Sequence, residues 1–181
     1  MMIERIKKIA GQKKEQIVEV RRAIHANPEL SFEEYETCEL VSKFLKRAGI
    51  KHEKGIVKTG VVAIIEGNDP SSKTIALRAD LDALPIQETT EVSFKSKNEG
   101  KMHACGHDVH TSSLLGTALI LHELKNEFEG TVKLIFQPGE ERIPGGAKLM
   151  IEAGVLENPA PINIIGQHVY PELEAGKVGF K

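Results

Sequence analysis

From Asp108 to Gly166 the chain changes hydrophobic period again and again, and that alternation limits its fold more than any other feature. Asp108 to about Leu124 reads as a helix whose Leu114, Leu115, Ala118, Leu119 and Leu121 spread over several faces. That spread predicts a buried helix packed on a sheet, with Asp108 as its cap. The apolar run Val132 to Phe136 predicts a buried strand, Gly145-Gly146 a tight turn, 147–153 a further helix, and Ile162 to Gly166 another strand. This succession is the pattern of an α/β layered domain, in which groups at the ends of neighbouring strands converge on one edge of the sheet.

The first half of the chain is compatible with that plan. Ile17, Val20 and Ile24 form an apolar stripe on a helix over 13–26 that Asn27-Pro28 should end. A second helix follows Ser31, with Cys38, Val41 and Leu45 on its inner face and Gly49 as its stop. Glu33 and Glu34 are expected on its solvated first turn, where negative charge suits the helix dipole. Ile50 to Val57, Val61 to Ile65 and Thr74 to Arg78 read as strands, and 86–100 as polar and irregular. A length of 181 residues suits one domain, taken as 1–181.

Charge excludes some functions. With 24 Lys and Arg against 26 Asp and Glu, a net charge of −2 offers no basic footprint for nucleic acid. No segment approaches the roughly 20 apolar residues of a membrane helix, and the N-terminus lacks a signal-peptide core. The expectation is a cytoplasmic protein with no nucleic-acid or membrane partner and with Cys38 and Cys105 reduced.

Chemistry concentrates in Met102-His103-Ala104-Cys105-Gly106-His107-Asp108-Val109-His110, which holds three histidines, one cysteine and one aspartate within nine residues. Ordinary packing seldom needs that density of metal-binding groups. If the segment is extended, His103, Cys105 and His107 share one face. Carboxylates arrive in Gln137-Pro138-Gly139-Glu140-Glu141, just after the strand 132–136, where neighbouring side chains diverge so that one can bind metal while the other handles protons. Gln167-His168 adds a histidine at a further strand end. His25, His52 and His122 read as ordinary histidines.

Five ordered blocks, RRAIHANPELSFEE, ALRADLDALPIQE, MHACGHDVHTSSLLG, FQPGEE with PGGAKLM, and GQHVYPELEAGKVG, cover nearly the whole chain. Together they resemble the amidohydrolases that include hippurate hydrolase, N-acyl-amino-acid amidohydrolases and auxin-conjugate hydrolases. The resemblance implies an α/β layered, zinc-peptidase-like (phosphorylase/hydrolase-like) domain with a mixed, largely parallel sheet flanked by helices. It implies two divalent metal ions, zinc, manganese, nickel or cobalt, and small N-acyl amino acids as substrates, cleaved at the amide. By motif match, Cys105, His107, Glu141 and His168 fall on metal ligands and Glu140 on the general base.

Asp82 matches an aspartate that accompanies a metal-binding histidine in the wider superfamily, but the residue two earlier is Asp80 rather than histidine. Asp80 and Asp82 are then candidates to support the ligands, or a turn-capping pair beside Arg78. The resemblance implies that His103 and His110 lie close to the metals, as ligands or as their supports. In the resembled family a lid and dimerisation domain and a further catalytic segment follow, whereas this sequence ends at Lys181. Two readings are therefore carried forward: a metal-dependent amidohydrolase, and a catalytically incomplete metal-binding fragment of one.

Overall fold

A computed structural model describes residues 1–180. The elements in chain order are α1 (Met2–Ala26), α2 (Tyr35–Arg47), β1 (Lys51–Ile56), β2 (Gly60–Glu66), β3 (Thr74–Asp80), α3 (His107–Glu123), a single 3-10 turn (Lys125–Glu127), β4 (Thr131–Gln137), α4 (Gly146–Glu152) and β5 (Asn163–Gly166). The five strands form one mixed sheet in the order β1-β2-β4-β3-β5. β1 with β2 and β2 with β4 are antiparallel, while β3 runs parallel to both β4 and β5.

β4 is the axis of the fold, with all seven of its residues buried. A strand covered on both faces needs an unbroken apolar run, which TVKLIFQ nearly supplies. Val132, Leu134 and Phe136 point to the face covered by α2 and α3, where they meet Val41, Leu45, Leu114 and Leu115. Ile135 points to the other face, against Met150 of α4 and Val155. Fully burying an aliphatic side chain of this kind contributes about 1.5–3 kcal/mol. Lys133, on the α4 face, is also buried and donates from Nζ to the carbonyls of Val155 and Glu157, both at 2.7 Å. Desolvation lowers its pKa.

Several local expectations need correction. α1 begins at Met2 rather than at 13, although Ile9 is the only residue of that early stretch that is buried. α2 starts at Tyr35, because Phe32 takes a left-handed conformation and turns the chain first. Asp108 does not cap α3. Gly106, with φ of 92°, occupies that position, and Asp108 is buried in the first helical turn. Among the described residues no helix is long and apolar enough to cross a membrane.

The parallel half of the sheet positions the chemistry. Parallel strands end on the same side, so the segments leaving β3, β4 and β5 meet at one edge. Register makes this specific, since Asp80 pairs with Gln137 and Arg78 with Gly166. The N-terminus of α3 arrives at the same edge, packed on β3, with Thr111 Oγ donating to the Asp80 carbonyl at 2.6 Å.

Candidate metal centre

Cys105, His107, Glu140, Glu141 and His168 converge at that edge, with Asp80 and Asp82 beneath them. The segment before α3 is not extended, so His103 does not share a face with Cys105 and His107. Its ring turns away toward His25, 6.4 Å between centroids, and is buried with neither nitrogen hydrogen-bonded. Burial holds its pKa down at about 4, so the ring is neutral.

His107 is 1 % exposed and its two nitrogens face different surroundings. Nδ1 lies 3.2 Å from Asp82 Oδ1. Nε2 has no hydrogen-bond partner and faces Asp80 Oδ2 at 3.7 Å, Glu141 Oε1 at 3.8 Å and Glu140 Oε2 at 4.0 Å. Burial alone would lower the His107 pKa, but the Asp82 contact and the charges of Asp80, Asp82 and Glu141 outweigh it and raise the value. A buried nitrogen without a partner costs free energy unless something sits against it, and this one points into a ring of carboxylates.

Beside it, Cys105 Sγ lies 3.4 Å from His168 Nε2, while His168 Nδ1 donates to the Val169 carbonyl at 2.7 Å. That bond leaves the Nε2 lone pair free toward the thiol. Burial, together with a hydrogen bond and negative charge from Glu141, pushes the Cys105 thiol up to about 11. Such a thiol is a poor nucleophile by itself, and a cation among these groups is what would favour its thiolate.

The donor sets fit a divalent cation. Cys105, His107 and His168 form one group whose donor atoms lie within 4.8 Å of one another, and His107, Glu140 and Glu141 form a second. Two donors each about 2.1 Å from a tetrahedral ion stand roughly 3.4 Å apart, close to the separations here. Thiolate, imidazole and carboxylate together suit zinc and its borderline neighbours.

Asp80, His107 and His110 also cluster, but the bonds of Asp80 and His110 are already committed. His110 Nδ1 meets Asp80 Oδ1 at 2.6 Å and its Nε2 accepts the Val169 N–H at 2.9 Å, while Asp80 Oδ2 accepts from Arg78 at 2.6 Å. Burial would raise the Asp80 pKa, but His110, His107 and Arg78 lower it overall. This trio braces the site: His110 ties the end of β3 to the backbone beside His168.

Asp82 is the second brace. Its Oδ1 faces His107, and its Oδ2 accepts from Ser31 Oγ at 2.6 Å and from the Glu141 N–H at 2.9 Å. Burial opposes its charge, yet those hydrogen bonds hold its pKa down to about 2.

Two sequence expectations fail nearby. Glu34 is not on a solvated helix face: it is 0 % exposed, with Oε2 accepting from Thr59 at 2.5 Å and Oε1 from the Gly139 N–H at 2.7 Å. His25 is no ordinary histidine either, being buried with Nδ1 2.8 Å from Asp108 and Nε2 3.2 Å from Glu88. The apolar helix stripe around Ile24 gave no signal for that second contact set.

Comparison with known proteins agrees with this geometry. The chain is 44% identical over 179 residues to an N-acyl-L-amino acid amidohydrolase of Geobacillus stearothermophilus, covering 99% of this chain and 48% of that protein. It is 51% identical over 157 residues to thermostable carboxypeptidase 2 of Saccharolobus solfataricus, covering 86% of this chain and 40% of the relative. The chain thus spans less than half the length of these curated relatives. A solved Bacillus subtilis protein, described as a dinuclear metal binding peptidase from the M20 family, superposes with a TM-score of 0.86 at 45% identity, over 97% of this chain and 47% of that one. The model for peptidase family M20/M25/M40 matches residues 76–181, the stretch that carries every donor described above, and the chain belongs to that family.

Proposed function

We propose that this chain carries the metal site of a hydrolase that cleaves the amide of N-acyl amino acids, with Cys105, His107, Glu141 and His168 as ligands of a pair of divalent ions and Glu140 as general base. The observation that carries the reading is the buried, unpartnered Nε2 of His107, aimed at three carboxylates beside the Cys105–His168 pair. The names of the relatives supply the substrate class.

A bound metal pair would supply Lewis-acid polarisation of the scissile carbonyl and a more acidic water. Glu140, with its side chain 42 % exposed, is open to substrate and takes the proton from the attacking water. The same carboxyl then returns that proton to the amine nitrogen as the C–N bond breaks. Glu140 and Glu141 stand 4.0 and 3.8 Å from His107 Nε2, and the lesser exposure of the Glu141 side chain, 24 % against 42 %, supports giving it the ligand role and Glu140 the proton. Asp82 keeps the proton of His107 on Nδ1, leaving the Nε2 lone pair for the ion.

The test is hydrolysis of a panel of N-acyl amino acids by the chain as it stands, and by the chain continued with the C-terminal half of the Geobacillus relative, each with Glu140→Gln. The expected result is loss of at least about a hundredfold in kcat with metal content unchanged. Turnover near that of the parent chain in Glu140→Gln would contradict the base assignment. Metal binding without turnover in both forms would instead favour a non-catalytic metal-binding module.

A further inference from the structure

We propose that Glu34 is a positioning residue for the Glu140–Glu141 pair, fixing the turn that carries both through the backbone N–H of Gly139; the proposal rests on the reading of that pair given above.

The turn leaves β4 at Gln137 and must present two carboxylates in different directions. Glu140 sits between two residues whose backbone N–H groups are each held by a buried carboxylate. On one side the Gly139 N–H donates to Glu34 Oε1 at 2.7 Å, and on the other the Glu141 N–H donates to Asp82 Oδ2 at 2.9 Å. The two anchors come from different elements, Glu34 from the residue preceding α2 and Asp82 from the segment leaving β3. A third tie closes the turn, since the Gly139 carbonyl accepts the Gly146 N–H at 2.8 Å. The base is therefore bracketed rather than held directly.

Glu34 is costly as a purely structural group. It is 0 % exposed, and the groups that hydrogen-bond to it, Thr59 and the Gly139 N–H, are neutral. Desolvation accordingly raises its pKa, partly offset by those hydrogen bonds. An apolar side chain of similar shape would be cheaper for folding alone. What only a carboxyl or amide oxygen supplies at that point is an acceptor for Gly139, one residue from the base.

The experiment measures zinc affinity by calorimetry on the 181-residue chain, together with melting temperature, for Glu34→Met, Glu34→Gln and the core control Val41→Ala. Zinc reads the turn through Glu141, independently of turnover. Glu34→Met, which fills the space but accepts no hydrogen bond from Gly139, is expected to weaken zinc binding about tenfold or more, the usual effect of removing a group behind a ligand. Glu34→Gln, which keeps an acceptor oxygen, should stay within a few-fold of the parent chain. Val41→Ala should melt earlier with unchanged affinity.

Should Glu34→Met fail to fold, Glu34→Asp takes its place, retaining the charge on an arm too short to reach Gly139. Parent-like zinc affinity in a folded Met or Asp variant overturns the proposal, as does a Gln variant as weak as the Met variant. Failure of the base reading would look different, with Glu140→Gln remaining active while the zinc comparison still reports on Glu34.

Discussion

Asp82 joins three parts of the site through one carboxylate, meeting the His107 ring, the Glu141 N–H and the Ser31 hydroxyl. Replacing it with Asn would put an amide N–H against His107 Nδ1 and move the imidazole proton to Nε2, where the ion should sit. The expected outcome for Asp82→Asn is a fall of about 10–100-fold in metal affinity, measured by competition with a chelator. Gly139 makes a second residue-scale prediction. Its φ is 58°, and an added Cβ would stand 2.4 Å from the Phe32 ring. Gly139→Ala is expected to destabilise the fold by about 2 kcal/mol or more, read from denaturant unfolding.

The clustering of Cys105, His107, Glu140, Glu141 and His168 was legible in the sequence, because Cys, His and paired Glu concentrate in segments that leave neighbouring strands or enter a helix. Asp80, Asp82 and His110 stood out beside them as possible supports, whereas Glu34 and His25 did not. Glu33-Glu34 has the pattern of an exposed helix start, and only the Gly139 N–H, 105 residues away, explains why Glu34 is buried. His25 likewise meets Asp108 across 83 residues.

At the scale of elements, strands and helices were legible where the apolar period was strong, as in β4 and α3. Their ends were not, because ends depend on backbone conformation, as at Phe32 and Gly106. The irregular segment between β3 and α3 was expected to be polar, yet it is pinned to α1. Glu88 accepts from the Ser96 N–H at 2.7 Å and from Thr90, and it faces His25 at 3.2 Å. Lys97 N–H donates to the Ala26 carbonyl, and Phe94 packs edge-on to the His25 ring. Burial would raise the Glu88 pKa, but those contacts hold it down to about 2. Because the folded value lies below the unfolded one, ordinarily near 4.5, the stabilisation is complete above about pH 4.5 and is lost as pH falls toward 2. The stability difference between the parent chain and Glu88→Gln should therefore be largest at neutral pH and should shrink across that window. A difference independent of pH in chemical denaturation would contradict the assignment.

For the whole molecule, the candidate metal centre borders the sheet's edge strand, since β5 runs directly into His168. β5 is an edge strand exposed along its length, with Ile164 at 50 % and Ile165 at 58 %, next to an apolar cleft of about 280 Å³ between β5 and α4. An exposed apolar edge favours association, so light scattering should show size increasing with concentration, less so in Ile165→Lys. Metal binding to the folded chain alone should also stabilise it, by about 2.7 kcal/mol at a hundredfold excess over the dissociation constant.

Whether Cys105, His107, Glu141 and His168 hold a divalent ion can be read from cobalt titration followed by absorption. A thiolate-to-cobalt charge-transfer band is expected that saturates with added metal, disappears in Cys105→Ser and weakens in His168→Ala. Cobalt binding of equal strength in the parent chain and both variants, with no such band, would contradict that ligand set.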